Sequence, residues 1–196
     1  MSSSHTFKPQ AIAVLVFVLA AAFTNSGCSK RDPQSAPRQE ARDGLSRRGF
    51  SYSEESFVQS ARNGDAFAVK LFLDTGINVH AKNKIGETAL MAAAFGGYGQ
   101  IIDALLAQGA NTDVNTQRNE GQTPLMAAAS NGHIDTVRVL LAHGAEVDTK
   151  DNFGFTALMY ADGQQHSEVV QLLIDAGATV TYLPKIELSL SSDHLS

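Results

Sequence analysis

Along the 196 residues the pattern of apolar and polar positions changes character twice. Residues 11–23 (AIAVLVFVLAAAF) are an uninterrupted apolar run of thirteen, and residues 29–50 (SKRDPQSAPRQEARDGLSRRGF) hold almost no large apolar side chain. From residue 51 onward apolar residues recur at helical spacing: Ile134, Val137, Leu140 and Leu141, then Val169, Val170, Leu172 and Leu173. This spacing predicts amphipathic helices, each with one buried stripe. Alanines at 92–94 and 127–129 leave room for close helix approach. Thr88, Thr123 and Thr156 each precede an Ala- and Leu-containing segment, as N-caps do, and Pro124 falls at a first helical position where its missing N–H costs nothing. Gly109, Gly144 and Gly177 follow the Leu-rich turns, where a left-handed helix-ending residue is wanted.

These signals recur in register. GETALMAAAFGGYGQIIDALLAQGA from Gly86, GQTPLMAAASNGHIDTVRVLLAHGA from Gly121 and GFTALMYADGQQHSEVVQLLIDAGA from Gly154 align at intervals of 35 and 33. A degenerate fourth unit, FVQSARNGDAFAVKLFLDTGINVHAKN, precedes them, with Glu55-Ser56-Phe57-Val58 where the motif stands. The G-x-T-[AP]-L-M-x-A pattern at this interval resembles the ankyrin repeat, over about residues 51–181. The resemblance implies an all-α repeat fold, an ankyrin solenoid of about four helix-turn-helix units (51–82, 83–117, 118–150, 151–181) with β-hairpin or turn fingers. One unit cannot bury its own apolar face, so stacking supplies the core.

Departures from the pattern carry expectations of their own. Met91, Met126 and Met159 stand where the family has His, exchanging a hydrogen-bonding ring for an adaptable apolar side chain. The last unit has Gln165 where the second and third have Gly97 and Gly132. The finger between Gly109 and Gly121 is two residues longer than that between Gly144 and Gly154, and is expected to protrude or distort around Asn115 to Glu120.

Charge and cysteine usage bear on location and partners. Residues 1–50 carry seven Lys/Arg against three acids, a balance of +4, so the remainder carries −9 of the total −5. An acidic folded region disfavours nucleic acid, whose binding is driven by cationic neutralisation of phosphates. The only cysteine, Cys28, excludes an intrachain disulfide. The apolar run of thirteen is short of the roughly 20 residues a spanning helix needs and fits the h-region of a signal peptide. Ser26-Gly27-Cys28 after that run resembles the lipobox of bacterial lipoproteins, although Asn25 stands where that family prefers Leu. The resemblance implies a signal peptide over 1–27, lipidation of Cys28 as the first mature residue, and an address at the bacterial cell envelope, periplasm-facing or in the outer membrane. Soluble export after cleavage behind Ala22 and an uncleaved anchor are the alternatives. Residues 28–50 are expected as a flexible linker, because they bury too little surface to offset ordering, and 182–196 as a tail with alternating Ile186, Leu188 and Leu190.

No catalytic or cofactor chemistry is expected. His133 and His166 occupy one position of successive units, but no carboxylate or Cys partner lies at metal-ligand spacing, so no metal site is expected. Gly96-Gly97-Tyr98-Gly99 lacks the strand, Lys and spacing of a phosphate loop and reads as an inter-helix turn. Ser130, His133 and Asp135 supply triad residue types without a G-x-S-x-G elbow.

Resemblance implies instead a non-enzymatic, monomeric protein-interaction module whose concave face, built from finger tips and first helices, binds a protein. By position these are Lys84, Ile85 and Glu87, then Asn119, Glu120 and Gln122, then Asn152, Phe153 and Phe155, with Phe95, Ser130 and Asn131 at the ends of first helices. Aromatics are scarce in this chain and enriched at interface hot spots, which singles out the three phenylalanines. Packing of Phe153 and Phe155 on the carboxy-terminal region is the competing expectation. An alternative function, suggested by export combined with protein binding, is inhibition of a dedicated toxin or envelope enzyme in the manner of an immunity protein.

Overall fold

A computed structural model of the chain describes residues 35–180. The expected signal segment, Cys28 and the whole tail 182–196 lie outside these residues. Among the described residues there are nine α-helices, one 3-10 helix and no named strand.

The helices begin where side-chain oxygens can replace missing backbone acceptors. Ser53 Oγ accepts from Ser56 N–H at 3.1 Å, and Thr88, Thr123 and Thr156 Oγ1 accept from Met91, Met126 and Met159 N–H at 3.3 Å each. These hydroxyls satisfy donors that a helix start otherwise leaves unpaired. They open α2 (Glu54–Arg62), α4 (Ala89–Gly96), α6 (Pro124–Ser130) and α8 (Ala157–Gly163). In the degenerate first unit the cap is therefore Ser53, thirty-five residues before Thr88. At Met126 the thioether takes a polar part of its own: its sulfur accepts from Thr123 N–H at 3.5 Å, closing a capping box in the place of the family's His.

Each of these helices turns back into a second one: α3 (Ala66–Asp74), α5 (Gly99–Ala107), α7 (Ile134–Ala142) and α9 (Ser167–Asp175). The first helices pack in a row, α2 on α4, α4 on α6 and α6 on α8, while each second helix packs behind its own partner. The alanine runs make the row possible. Ala92, Ala93, Ala94, Ala128 and Ala129 are fully buried, and Leu90, Leu125, Leu105 and Leu140 fill the space between layers. Phe57 and Phe72, both fully buried, do the same in the first unit, with ring centroids 5.7 Å apart.

The expected flexible linker is corrected over much of its length. Residues Ser35–Arg47 form α1, which packs on α3. Pro37 sits in the first turn, where its missing N–H breaks no helical bond. Ala41 and Leu45, four apart and so on one face, are buried, Leu45 completely. Arginines supply the remaining contacts. The Arg42 guanidinium lies 4.6 Å from the Tyr52 ring centroid, and Arg48 lies 5.1 Å from that of Phe67 while Nη2 reaches Asp65 at 2.8 Å. This segment orders by covering the exposed end of the stack.

The long finger distorts, ahead of the stretch Asn115 to Glu120 where this was expected. Its two extra residues are wound into a 3-10 helix, Ala110–Asn115, that buries Ala110, Asp113 and Val114. Ala110 and Val114 join the apolar core while Asn111 and Thr112 between them stay exposed, and Asp113 Oδ1 meets His80 Nδ1 at 2.9 Å.

Candidate functional site

The fingers repeat one turn. Asn83 N–H donates to Glu87 O and Gly86 N–H to Asn83 O; Arg118 and Gly121, then Asp151 and Gly154, make the same pair of bonds. In two of the three the turn is locked by a side chain. Asn83 Oδ1 accepts from Ile85 and Glu87 N–H at 3.1 and 3.0 Å, and Asp151 Oδ1 from Phe153 and Phe155 N–H at 2.9 and 2.8 Å. Successive fingers are stitched together: Asn119 N–H donates to Ile85 O, and Asn152 N–H to Glu120 O, both at 3.1 Å. Asn152 Nδ2 adds a bond to Asn119 O at 3.1 Å.

This framework decides which of the expected contact residues are available. Lys84, Ile85, Asn119, Glu120, Asn152, Phe153 and Phe155 are exposed at the finger tips, and Phe95 and Asn131 are exposed at the ends of α4 and α6. Phe153 is 72% exposed, Phe155 48%, Ile85 46% and Phe95 45%, so four large apolar side chains meet solvent on these elements. Asn131 is partly engaged, its Nδ2 donating to Ala127 O at 2.9 Å. Ser130 is half-buried and its carbonyl accepts from His166 Nε2 at 3.2 Å. Gln122 is half-buried, with Nε2 donating to Tyr160 OH at 2.9 Å.

Glu87 is a correction. It is 1% exposed, its carboxylate paired with Arg62 Nη2 and accepting from Asn83 Nδ2 at 2.9 Å, so it holds its finger instead of meeting a partner. Burial of this carboxylate is tolerable because both oxygens are bonded, one to a cation. Arg62 also lies over Phe95, 5.1 Å from the ring centroid.

Two residues with no assigned role complete the surface. Tyr160 stands on α8 where α4 and α6 have Ala92 and Ala127, and its ring centroid is 5.7 Å from that of Phe155. Its hydroxyl donates to Asp151 Oδ2 at 2.6 Å. Partial burial and this bond to a carboxylate push the Tyr160 pKa up, with Gln122 acting in the other direction. Arg118 replaces the Asn or Asp of the neighbouring turns and pairs with Glu120 at 2.8 Å. The signals for these residues were a large side chain in a row of alanines and a cation in a row of Asx residues.

None of the histidines forms a metal site among the described residues, which contain no group of three or more His, Cys, Asp or Glu able to hold an ion. His133 and His166 bond to backbone carbonyls instead. His133 therefore makes its bond to Phe95 O and not to Ser130, and Gly96-Gly97-Tyr98-Gly99 is the turn between α4 and α5.

A family profile described as ankyrin repeats (3 copies) matches residues 57–151 and 108–182. The chain belongs to the ankyrin-repeat family. An ankyrin repeat-containing protein of Treponema pallidum (strain Nichols) is 34% identical over 73 residues, covering 37% of this chain and 24% of the relative. The chain thus spans about a quarter of the length of that curated relative. Ankyrin repeats are protein-interaction modules, and the fold described above is an all-α ankyrin solenoid. Among the described residues no helix is long and apolar enough to cross a membrane.

Proposed function

We propose that this ankyrin-repeat protein is a non-enzymatic binding module that captures a protein partner on the concave side formed by its finger tips and first helices. The observation that carries the reading is the exposure of Ile85, Phe95, Phe153 and Phe155 on those elements. Single exposed apolar residues are ordinary, but aromatics set in a rim of polar side chains are the usual anchors of an interface. Stitched fingers keep these anchors in place, which lowers the ordering entropy that binding must offset. The test is capture of partners by the full chain and by a Phe153→Ala/Phe155→Ala variant shown by circular dichroism to be folded. Loss of the captured protein supports the site; undiminished capture would sink it.

The module acts at the bacterial cell envelope, tethered through Cys28. Support comes from the thirteen-residue apolar run, the small residues ahead of the lone cysteine, and the short spacing to the folded part. Only residues 29–34 separate Cys28 from α1, and seven Cα steps reach at most about 25 Å. Intact mass of the mature protein, with and without Cys28→Ala, separates lipid attachment, soluble export and no processing.

A further inference from the structure

Arg118 breaks the finger pattern. Asn83 and Asp151, at the same turn position, accept hydrogen bonds from their own fingers, which an arginine without an acceptor cannot do. Its guanidinium instead donates from Nη2 to Glu120 at 2.8 Å. Its Nε, on the same edge of the guanidinium, is buried and meets no acceptor among the described residues. That edge is the fork a carboxylate fills with two parallel bonds, and here one prong is used. Glu120 is a loose occupant: its side chain is 60% exposed, and exposed ion pairs contribute little.

Arg118 also lines a cleft of about 250 Å³, together with Ile85, Asn119 and Glu120. Its electrostatics run against those of the molecule. On the two fingers that flank it, Glu87 is paired with Arg62 and Asp113 is buried against His80, so the solvent-facing charges are Lys82, Lys84 and Arg118 against Glu120, with Glu55 of α2 accepting from the Lys84 N–H. A cationic patch therefore sits on a region whose residues after 50 carry −9.

We infer that this cleft receives a carboxylate side chain from an acidic segment of the protein partner, which displaces Glu120 and bonds both Nε and Nη2 of Arg118. The inference rests on the proposed use of the finger side as the binding surface. The incoming carboxylate satisfies a donor that is buried and unpaired in the free protein, while Lys82 and Lys84 favour an acidic surrounding sequence. Ile85 gives the segment an apolar wall. Glu120 acts as an internal competitor, so weakly held ligands fail to displace it and selectivity for carboxylates rises.

The test uses short random peptides displayed on phage and selected on the full chain, followed by anisotropy titration of a selected peptide. Asp or Glu should be enriched in the selected sequences. Replacing the critical acid by its amide and making Arg118→Gln should each weaken binding about tenfold, as expected for one charge-assisted fork. The two changes together should cost no more than either alone, and Glu120→Gln should tighten binding. Peptides lost in Phe153→Ala/Phe155→Ala but unaffected by Arg118→Gln would overturn the carboxylate site and leave the proposed binding surface standing. Absence of binders, or binders indifferent to both variants, would sink the surface and the inference with it. Weaker binding to Glu120→Gln would make Glu120 a direct contact and overturn its part as competitor.

Discussion

The Nε2–H of His133 donates to the carbonyl oxygen of Phe95 at 3.0 Å, across the boundary between the second and third units. His166 repeats the relationship with Ser130 at 3.2 Å one unit later. In both places the ring lies against a left-handed glycine, Gly97 (φ +71) or Gly132 (φ +71), where an added Cβ would come within 2.6 or 2.7 Å of the imidazole. Gly97→Ala should therefore combine backbone strain with a clash and lower stability by about 1–3 kcal/mol, read from denaturant or thermal unfolding. His133→Ala, which removes one hydrogen bond to an exposed carbonyl, should lower it by about 1 kcal/mol. Equal or reversed effects would contradict this account.

In the fourth unit the equivalent position is Gln165, held at φ 63. A side chain in this conformation is strained by roughly 1–2 kcal/mol. Gln165→Gly should raise the unfolding temperature, despite the larger backbone entropy of glycine in the unfolded chain. An unchanged or lower unfolding temperature would mean that Gln165 makes compensating contacts.

Leu45 is completely buried on α1, against the first unit. Leu45→Ala should cost about 2–5 kcal/mol if α1 is part of the fold, and should increase proteolysis near Arg47 and Arg48. A flexible linker would tolerate the change with no loss in thermal unfolding.

Tyr160 links pH to stability. Its folded pKa is raised above the ordinary tyrosine value near 10, first by burial and then by its bond to Asp151. The folded chain thus holds this proton more tightly than the unfolded chain. The contribution is fully present below pH about 10 and is lost as pH rises through the folded value. Tyr160→Phe should lower stability at neutral pH by about 1–2 kcal/mol, because Gln122 and Asp151 each lose a partner. The difference from the parent chain should shrink in alkaline urea titrations; a difference that widened there would reverse the assignment.

Elements whose reasons are local could be read from the sequence. Thr88, Thr123 and Thr156 announce helix starts because a cap needs only its own next turn, and the alanine runs announce close packing. What escaped depends on neighbours distant in the chain. The segment of α1 is polar and contributes only Ala41 and Leu45 to the interior, and Arg42 within it and Arg48 just after it find Tyr52, Asp65 and Phe67 only after folding. Glu87 has the residue type of a surface contact, and its burial follows from Arg62, twenty-five residues earlier. The two residues added after Gly109 changed a length, and the 3-10 turn that takes them up keeps Ala110 and Val114 in buried positions.

The bonds from Asn119 to Ile85, from Asn152 to Glu120, and from the two histidines to the preceding units each join one unit to its neighbour. Mechanical integrity is therefore passed along the stack one interface at a time, as in a file of dominoes. Ile85 and Phe155 lie two units apart, so a ligand gripping both would bridge two of these interfaces and serve as a splint. Such a ligand would suppress fraying of the fourth unit without touching the terminal turn itself.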